Sequence, residues 1–253
     1  QVVEVETALA RASLDRVSRR DPDRTYHPMD GAALRKLGPG FDWRRYFAAV
    51  GTPGVDRLDV MHLPFIVEVS SLVAGRPSTR LRTYLGWRLV SSQTQALPRA
   101  FADAAFAFES KYLSGAKEDL PRWKKCVAAT DRALGEALAV PFIEQTFGAE
   151  GKATAKTLVA AIEGAFEANL GTLAWMDGPT KQKALAKARK IFDKIGYPDA
   201  WKTYDGLVTD RRTFLGNLQR SAAYEAARDL RKIGKPLDRG RWRMTPPTVN
   251  AYY

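Results

Sequence analysis

Prolines and glycines divide this chain into segments in which apolar residues recur with the period of an α-helix. The clearest breaks are Asp21-Pro22, Gly38-Pro39-Gly40, Gly196-Tyr197-Pro198 and Gly234-Lys235-Pro236. Proline ends helices because it lacks an N–H and restricts the residue before it, and glycine ends them because it adopts backbone conformations that other residues avoid. Between these breaks the apolar side chains return every three or four residues. The pattern therefore predicts a mainly α fold built from many packed helices.

The breaks also give approximate helix limits. The predicted helices cover residues 2–20, two short stretches within 30–50, and then 78–95, 98–113, 121–147, 152–175, 179–194 and 210–232. Asp42 is the expected N-cap of the second short helix, and Ser78 is the expected N-cap of the helix that it begins. The most apolar stretch runs from Val60 to Val73. It predicts either a helix that starts at Pro64 or a strand at residues 65–67, and the pattern leaves both open.

Composition is that of a folded protein. The chain has 253 residues, of which 45% are hydrophobic and 27% are charged, and these are ordinary globular values. Its length is sufficient for a sizeable core. The sequence has no run of about 18 apolar residues, so we expect no membrane span within it. Residues 1–4 also lack the basic start and apolar run of a secretory signal.

The net charge of +12 raises the possibility of nucleic-acid binding. The densest basic run, residues 181–190, has apolar residues interspersed at helical spacing, which is typical of the solvated face of an amphipathic helix. The sequence lacks zinc-finger spacing, an RNA-recognition signature and a clear helix-turn-helix. We therefore expect no nucleic-acid partner.

Residues 237–253 differ from the rest of the chain. Pro246-Pro247-Thr248 predicts an extended lead-in, and Val249–Tyr253, with a branched residue and two aromatics, predicts a short strand. Trp242 and Met244 are expected to anchor this stretch. The Asn250 amide can donate to and accept from an extended peptide, but asparagine also often caps a turn, and the residues alone favour the turn.

The same residues carry a family resemblance. Thr245 to Tyr253 resembles the segment that leads into the catalytic domain of neprilysin and endothelin-converting-enzyme family zinc endopeptidases. Seven upstream sets match in the family's order: Glu6 to Ala10 with Arg20, Asp21 and Tyr26; Phe41-Asp42-Trp43; Tyr84 to Arg88; Arg122 to Cys126; Trp175-Met176-Asp177 with Thr180, Lys181 and Ala184; Lys194 to Pro198; and Gly234-Lys235-Pro236 with Asp238. The matches run from about residue 4 to the last residue, so the resemblance is specific.

The resemblance implies a two-lobed metallopeptidase whose lobes enclose a cavity that admits oligopeptides. Residues 1–240 would form the helical, non-catalytic lobe that caps this cavity, and residues 241–253 would begin the catalytic domain, ending in a strand of the catalytic lobe. Asn250 and Ala251 would bind the substrate main chain. The partners implied are oligopeptide substrates and the C-terminal catalytic domain of the same protein.

The chain departs from the family at the metal site. The family holds one zinc with a His-Glu-x-x-His helix and a later glutamate, and both follow the segment that Asn250 and Ala251 match. Here the only histidines are His27 and His62, which stand far apart, and neither belongs to a His-Glu-x-x-His motif. We therefore expect no catalytic residue and no metal ligand in this chain. The zinc ion is expected to be bound by residues downstream of it.

Three points stay open: the state of Cys126, the location of the protein and its alternative function. Cys126, the only cysteine, matches a family cysteine that pairs with one in the catalytic part, but it could equally be a buried free thiol. The resemblance implies an extracytoplasmic location, whether secreted, periplasmic or membrane-anchored. The alternative function is a stand-alone helical binding or scaffold protein without catalytic activity.

Overall fold

The computed structural model describes residues 1–74 and 78–251, and it is mainly helical. The α-helices of the described residues are α1 (Val2–Arg11), α2 (Pro22–Thr25), α3 (Gly31–Leu37), α4 (Trp43–Ala49), α5 (Leu63–Ala74), α6 (Ser78–Ser92), α7 (Arg99–Ala105), α8 (Arg122–Thr146), α9 (Gly148–Thr172), α10 (Gly178–Ala188) and α11 (Phe214–Leu230). A π-helix continues α7 over Phe106–Leu113, and 3-10 turns cover Ser18–Arg20 and Thr94–Ala96. The mainly α prediction is confirmed.

Most helix limits follow the predicted breaks. The Asp42 carboxylate accepts a hydrogen bond from the Arg45 N–H, so it caps α4 as expected. The apolar stretch after Val60 forms α5, which excludes the strand alternative at residues 65–67. Ser78 is the expected N-cap of α6, and its side chain lies outside the part of the chain that the structure describes.

The helix predicted for residues 2–20 is wrong in its second half. It ends at Arg11 because Asp15 organises a local turn: its carboxylate accepts from the N–H of Val17 at 2.8 Å and from the N–H of Ser18 at 2.9 Å. The Ser18 hydroxyl also donates to it at 2.6 Å. Aspartate competes with helix hydrogen bonding in this way, and the apolar spacing does not reveal it.

This turn predicts a pH dependence. The Ser18 hydroxyl and the two backbone N–H groups lower the pKa of Asp15 to about 2. Because the pKa of Asp15 is lower in the folded state, its ionised carboxylate stabilises the folded protein at pH values above 3.8. That stabilisation is lost as the pH falls through about 2. We expect Asp15→Asn to destabilise the chain at pH 5, and the difference from the wild type to shrink between pH 4 and pH 2. Urea unfolding of both proteins across this range measures it, and a difference independent of pH would contradict it.

The chain forms two compact units. The first comprises residues 1–119 and 229–231, and the second comprises residues 120–228 and 232–253. In the first unit, α5 packs against α1 and α3, and α1 also packs against α6. Its core centres on Leu34, Trp43 and Val60.

A small sheet, which the sequence pattern did not predict, stabilises the first unit. Strands β1 (Pro28–Met29) and β2 (Leu58–Asp59) pair antiparallel, with Met29 opposite Leu58. His27 extends the pairing: its N–H donates to the Asp59 carboxylate at 2.8 Å, and its carbonyl accepts from the Val60 N–H at 3.1 Å. Strands of two residues are too short for an alternating pattern to be visible in the sequence.

In the second unit, α9 packs against both α8 and α10. The buried Lys152 of α9 holds the turn at residues 196–198. Its Nζ donates to the Tyr197 carbonyl and to the Asp199 carboxylate, both at 2.6 Å, and lies 4.2 Å from the centre of the Tyr197 ring. The ammonium is therefore paired, as a buried charge requires.

Candidate functional site

The segment that contains Asn250 and Ala251 begins with a turn at Thr245. The Thr248 N–H donates to the Thr245 carbonyl at 2.9 Å, and the two threonine hydroxyls lie 3.0 Å apart. Pro246 and Pro247 occupy the middle of this turn and have no N–H to satisfy. The turn thus fixes the direction in which the chain approaches residue 249.

Asn250 and Ala251 are both exposed, and Val249 is fully exposed. The Asn250 N–H donates to the Thr248 carbonyl at 3.0 Å, and its side-chain Oδ1 accepts from the Ala251 N–H at 2.8 Å. Residues 249–251 do not form the expected strand, because these local hydrogen bonds use N–H groups that a strand ladder would need. Tyr252 and Tyr253, the rest of the predicted strand, lie outside the described residues.

Thr245 anchors this segment to helix α8. Its hydroxyl donates to the Asp131 carboxylate at 3.1 Å. Its methyl group lies against the buried Gly135, where a Cβ atom would overlap Thr245 Cγ2. Glycine is therefore required at position 135 because of the close approach of Thr245, although glycine in a helix interior costs about 1 kcal/mol relative to alanine.

Helix α8 is kinked at the same place. Leu134 has φ −138° and ψ 35°, outside the helical region, and Pro141 lies too far along the chain to cause this break. Two backbone groups next to the kink have side-chain partners. The Glu136 N–H donates to the Tyr204 hydroxyl at 3.1 Å, and the Ser221 hydroxyl donates to the Ala133 carbonyl at 3.1 Å.

Charged side chains surround the kink. The Glu136 carboxylate accepts from the Lys202 N–H at 2.7 Å, and the Lys202 ammonium pairs with Glu225 at 2.9 Å. Arg228 pairs with the other Glu225 oxygen at 3.3 Å. A cleft of about 430 Å³ is bordered by Glu136, Lys202 and Glu225, together with Thr245 and Thr248. Burial is the main cause that raises the pKa of Tyr204, so its hydroxyl stays neutral at physiological pH.

Removal of the Tyr204 hydroxyl tests the kink. We expect Tyr204→Phe to lower the free energy of unfolding by about 1–2 kcal/mol, because the Glu136 N–H loses its acceptor. Tyr224→Phe is the matched control, since the exposed Tyr224 hydroxyl makes only a 3.4 Å contact with the Thr203 carbonyl. Urea unfolding compares the two variants, and equal effects would contradict the assignment.

The two histidines do not form a metal site. His27 Nδ1 lies 3.0 Å from the Val60 carbonyl oxygen, so that nitrogen is engaged in the small sheet. His62 lines a separate, mostly apolar cavity of about 450 Å³ in the first unit. Across residues 1–74 and 78–251, no group of three or more His, Cys, Asp or Glu side chains is placed to hold a metal ion. The described residues therefore do not fit a zinc ion.

Cys126 lies on α8 and is an exposed free thiol. The buried-thiol interpretation is therefore wrong. The exposure leaves the sulfur accessible to another cysteine, while the pairing itself stays a prediction.

The comparisons with known proteins decide the family. The model of peptidase family M13 matches residues 1–198. This chain belongs to peptidase family M13. Endothelin-converting enzyme 1 of Rattus norvegicus is 32% identical over 264 residues, and neprilysin-3 of Drosophila melanogaster is 33% identical over 271 residues. These alignments cover 100% of this chain but only 35% and 34% of the two relatives, so the chain spans about a third of their length.

Solved structures similar to this chain agree with this assignment. The zinc metalloprotease Zmp1 of Mycobacterium tuberculosis, in complex with an inhibitor, matches 100% of this chain with a TM-score of 0.91 and 36% identity. The match covers 38% of the Zmp1 chain. PepO from Lactobacillus rhamnosis has a TM-score of 0.89 at 20% identity, which supports the fold alone. Among the described residues, no helix has both the length and the apolar character needed to span a bilayer.

Sequence reasoning selected Asn250 and Ala251 but missed their anchor on α8. One feature of the sequence could have indicated this anchor: Gly135 lies in the middle of the helix predicted for residues 121–147. Such a glycine indicates close backbone packing when no turn explains it. The partner that approaches it, Thr245, is 110 residues away and cannot be identified from periodicity.

Proposed function

We propose that this M13 chain is the N-terminal part of a neprilysin-like zinc endopeptidase that cleaves oligopeptides. Residues 1–240 form the helical lobe that caps the substrate cavity, and residues 241–253 begin the catalytic domain. The observation that carries the proposal is the match of the entire chain to Zmp1 at 36% identity and a TM-score of 0.91. A helical lobe that encloses the cavity would exclude folded proteins by size and bulk water from the chemistry.

The zinc ion of this enzyme is bound by residues that follow this chain. When bound, such an ion lowers the pKa of a coordinated water and polarises the substrate carbonyl. Residues 1–74 and 78–251 contribute neither a zinc ligand nor a catalytic residue in this proposal, and their part in the reaction is to bind and orient the peptide.

Asn250 and Ala251 bind the substrate main chain. The Asn250 amide has a donor and an acceptor on an exposed side chain, which suits the N–H and C=O groups of an extended peptide. Its present bond to the Ala251 N–H is local and can be exchanged for a bond to substrate. A peptide held at these residues would present its scissile bond in a fixed orientation, which reduces the entropic cost of the reaction.

The partners of this chain are the oligopeptide substrate and the C-terminal catalytic domain of the same protein. We place the enzyme outside the cytoplasm, secreted, periplasmic or membrane-anchored, and propose that Cys126 forms a disulfide with a cysteine of the catalytic domain. The exposed sulfur of Cys126 supports this pairing, because a disulfide requires close approach of a second thiol.

Peptide cleavage mapping tests this function. The whole protein is incubated with a mixture of oligopeptides, and the products are identified by mass spectrometry. We expect cleavage on the amino side of bulky apolar residues, and no cleavage of a folded protein that contains the same sequences. If no peptide is cleaved under zinc-replete conditions, the alternative of a non-catalytic helical scaffold is favoured instead.

A further inference from the structure

We propose that Asp131, Gly135 and Thr245 are positioning residues that hold the Asn250-Ala251 segment in its substrate-binding orientation. The inference rests on the proposed role of Asn250 and Ala251 in substrate binding. It adds three residues that touch no substrate and act through that segment.

Hydrogen bonds join helix α8 to Thr248, and a further hydrogen bond joins the Thr248 backbone to Asn250. Asp131 accepts from the Thr245 hydroxyl at 3.1 Å, and that hydroxyl lies 3.0 Å from the hydroxyl of Thr248. The Thr248 carbonyl then accepts from the Asn250 N–H at 3.0 Å. The orientation of Asn250 is thus linked through two threonines to one carboxylate on the helix.

Gly135 supplies the second contact of this anchor. The absence of a side chain lets the Thr245 methyl group approach the backbone of α8, and a Cβ atom there would overlap it. Thr245 is therefore held on two sides, by a hydrogen bond to its hydroxyl and by packing against its methyl group. A side chain fixed in this manner has little freedom to shift the turn that follows it.

The surface that receives Thr245 is itself fixed. Gly135 follows the kink at Leu134, and backbone groups on either side of the kink are hydrogen-bonded by Tyr204 and Ser221. Ser221 is buried, so its hydrogen bond is shielded from water. The kinked helix, rather than the exposed segment alone, then determines where Asn250 lies.

Two substitutions at Thr245 separate positioning from folding. Thr245→Val keeps the shape but removes the hydroxyl, whereas Thr245→Ser keeps the hydroxyl and removes the methyl group. In the whole protein, we expect Thr245→Val to lower kcat/KM by about 10-fold, mainly through a higher KM, because the peptide is bound in a less defined orientation. Thr245→Ser should stay within about 3-fold of the wild type, since the bond to Asp131 remains.

A double substitution tests the packing against Gly135. Gly135→Ala is expected to lower kcat/KM by about 10-fold or more by displacing Thr245. Thr245→Ser removes the methyl group that would overlap the new Cβ, so the double variant should regain at least part of the lost activity. If Gly135→Ala impairs activity equally in both backgrounds, Gly135 does not act through Thr245 and the inference is wrong.

Controls distinguish the possible failures. Thr157→Val removes another threonine hydroxyl in the second unit, bonded at 3.1 Å to the Ala153 carbonyl, and should leave KM unchanged. Asn250→Ala is measured in parallel. A normal KM for Thr245→Val beside an impaired Asn250→Ala would overturn the positioning inference while leaving the proposed function intact. Normal kinetics for both variants would overturn substrate binding by Asn250 as well, although cleavage mapping would still test the peptidase itself.

Thermal unfolding provides the last readout. The positioning inference expects the Thr245→Val protein to remain folded at the assay temperature, with its higher KM restored by Thr245→Ser. An activity loss that follows the unfolded fraction, without restoration by serine, would mean that Thr245 serves only the fold.

Discussion

Replacement of Asn250 by alanine is expected to lower kcat/KM of the whole enzyme by about 10- to 100-fold. The amide would make one or two hydrogen bonds to the substrate main chain, and loss of such bonds, with the peptide groups left unpaired, costs about 1–3 kcal/mol. Because Asn250 is exposed and its hydrogen bonds are to its neighbours Thr248 and Ala251, we expect little change in stability. Steady-state hydrolysis of one peptide by wild type and variant measures the effect.

Asn169→Ala is the matched control for this prediction. Asn169 is an exposed asparagine of α9 in the same unit, and its side chain lies 3.3 Å from the Thr172 hydroxyl. We expect its kinetics to equal those of the wild type. Equal values for Asn250→Ala and Asn169→Ala would show that Asn250 only caps a turn.

Replacement of Trp43 by alanine is expected to lower the free energy of unfolding of the first unit by about 3–5 kcal/mol, the range found when large buried aromatic side chains are truncated. Trp43 is 9% exposed and belongs to the core with Leu34 and Val60. Its Nε1–H donates to the Gly38 carbonyl at 2.8 Å, and its ring centre lies 4.5 Å from that of Phe41. The substitution therefore removes a buried aromatic ring and the shorter of two hydrogen bonds to the Gly38 carbonyl, which also accepts from the Phe41 N–H at 3.4 Å.

One further variant separates the loss of the hydrogen bond from the loss of the aromatic ring, and a second variant is a control. Trp43→Phe keeps much of the aromatic volume but loses the hydrogen bond, so we expect about 1–3 kcal/mol. Trp123→Ala is the control, since Trp123 is 64% exposed on α8, and it should change stability by about 0.5 kcal/mol or less. Urea unfolding gives all three values. A Trp43→Ala effect no larger than that of Trp123→Ala would contradict the assigned core.

The helices could be predicted because proline, glycine and capping residues act locally. Pro98 and Pro121 directly precede α7 and α8, and Asp42 caps α4, as their positions in the sequence indicate. The end of α1 could not be predicted, because the hydrogen bonds of Asp15 compete with the helix and leave the apolar period unchanged. The pairing of β1 with β2 depends on a contact between segments about 30 residues apart, which periodicity does not encode.

Part of the candidate site could likewise be predicted from the sequence and part could not. Asn250 and Ala251 were identified from a family resemblance that covers the entire chain. The residues that hold them were not, because the contact of Thr245 with Asp131 and Gly135 joins positions more than 100 residues apart. The strand expected at residues 249–251 is replaced by local hydrogen bonds of Thr248 and Asn250. Such bonds compete with strand pairing in a manner that residue preferences do not capture.

The zinc content of the whole purified protein, measured together with its hydrolysis of an oligopeptide before and after chelation, tests the assignment as a zinc endopeptidase. We predict about one zinc per molecule, loss of hydrolysis when the metal is removed, and recovery when zinc is added back. Residues 1–253 alone, as a control, should bind no stoichiometric zinc and cleave no peptide. A whole protein that lacks zinc, or that cleaves peptides equally well after complete metal removal, would contradict the assignment as a neprilysin-like zinc endopeptidase.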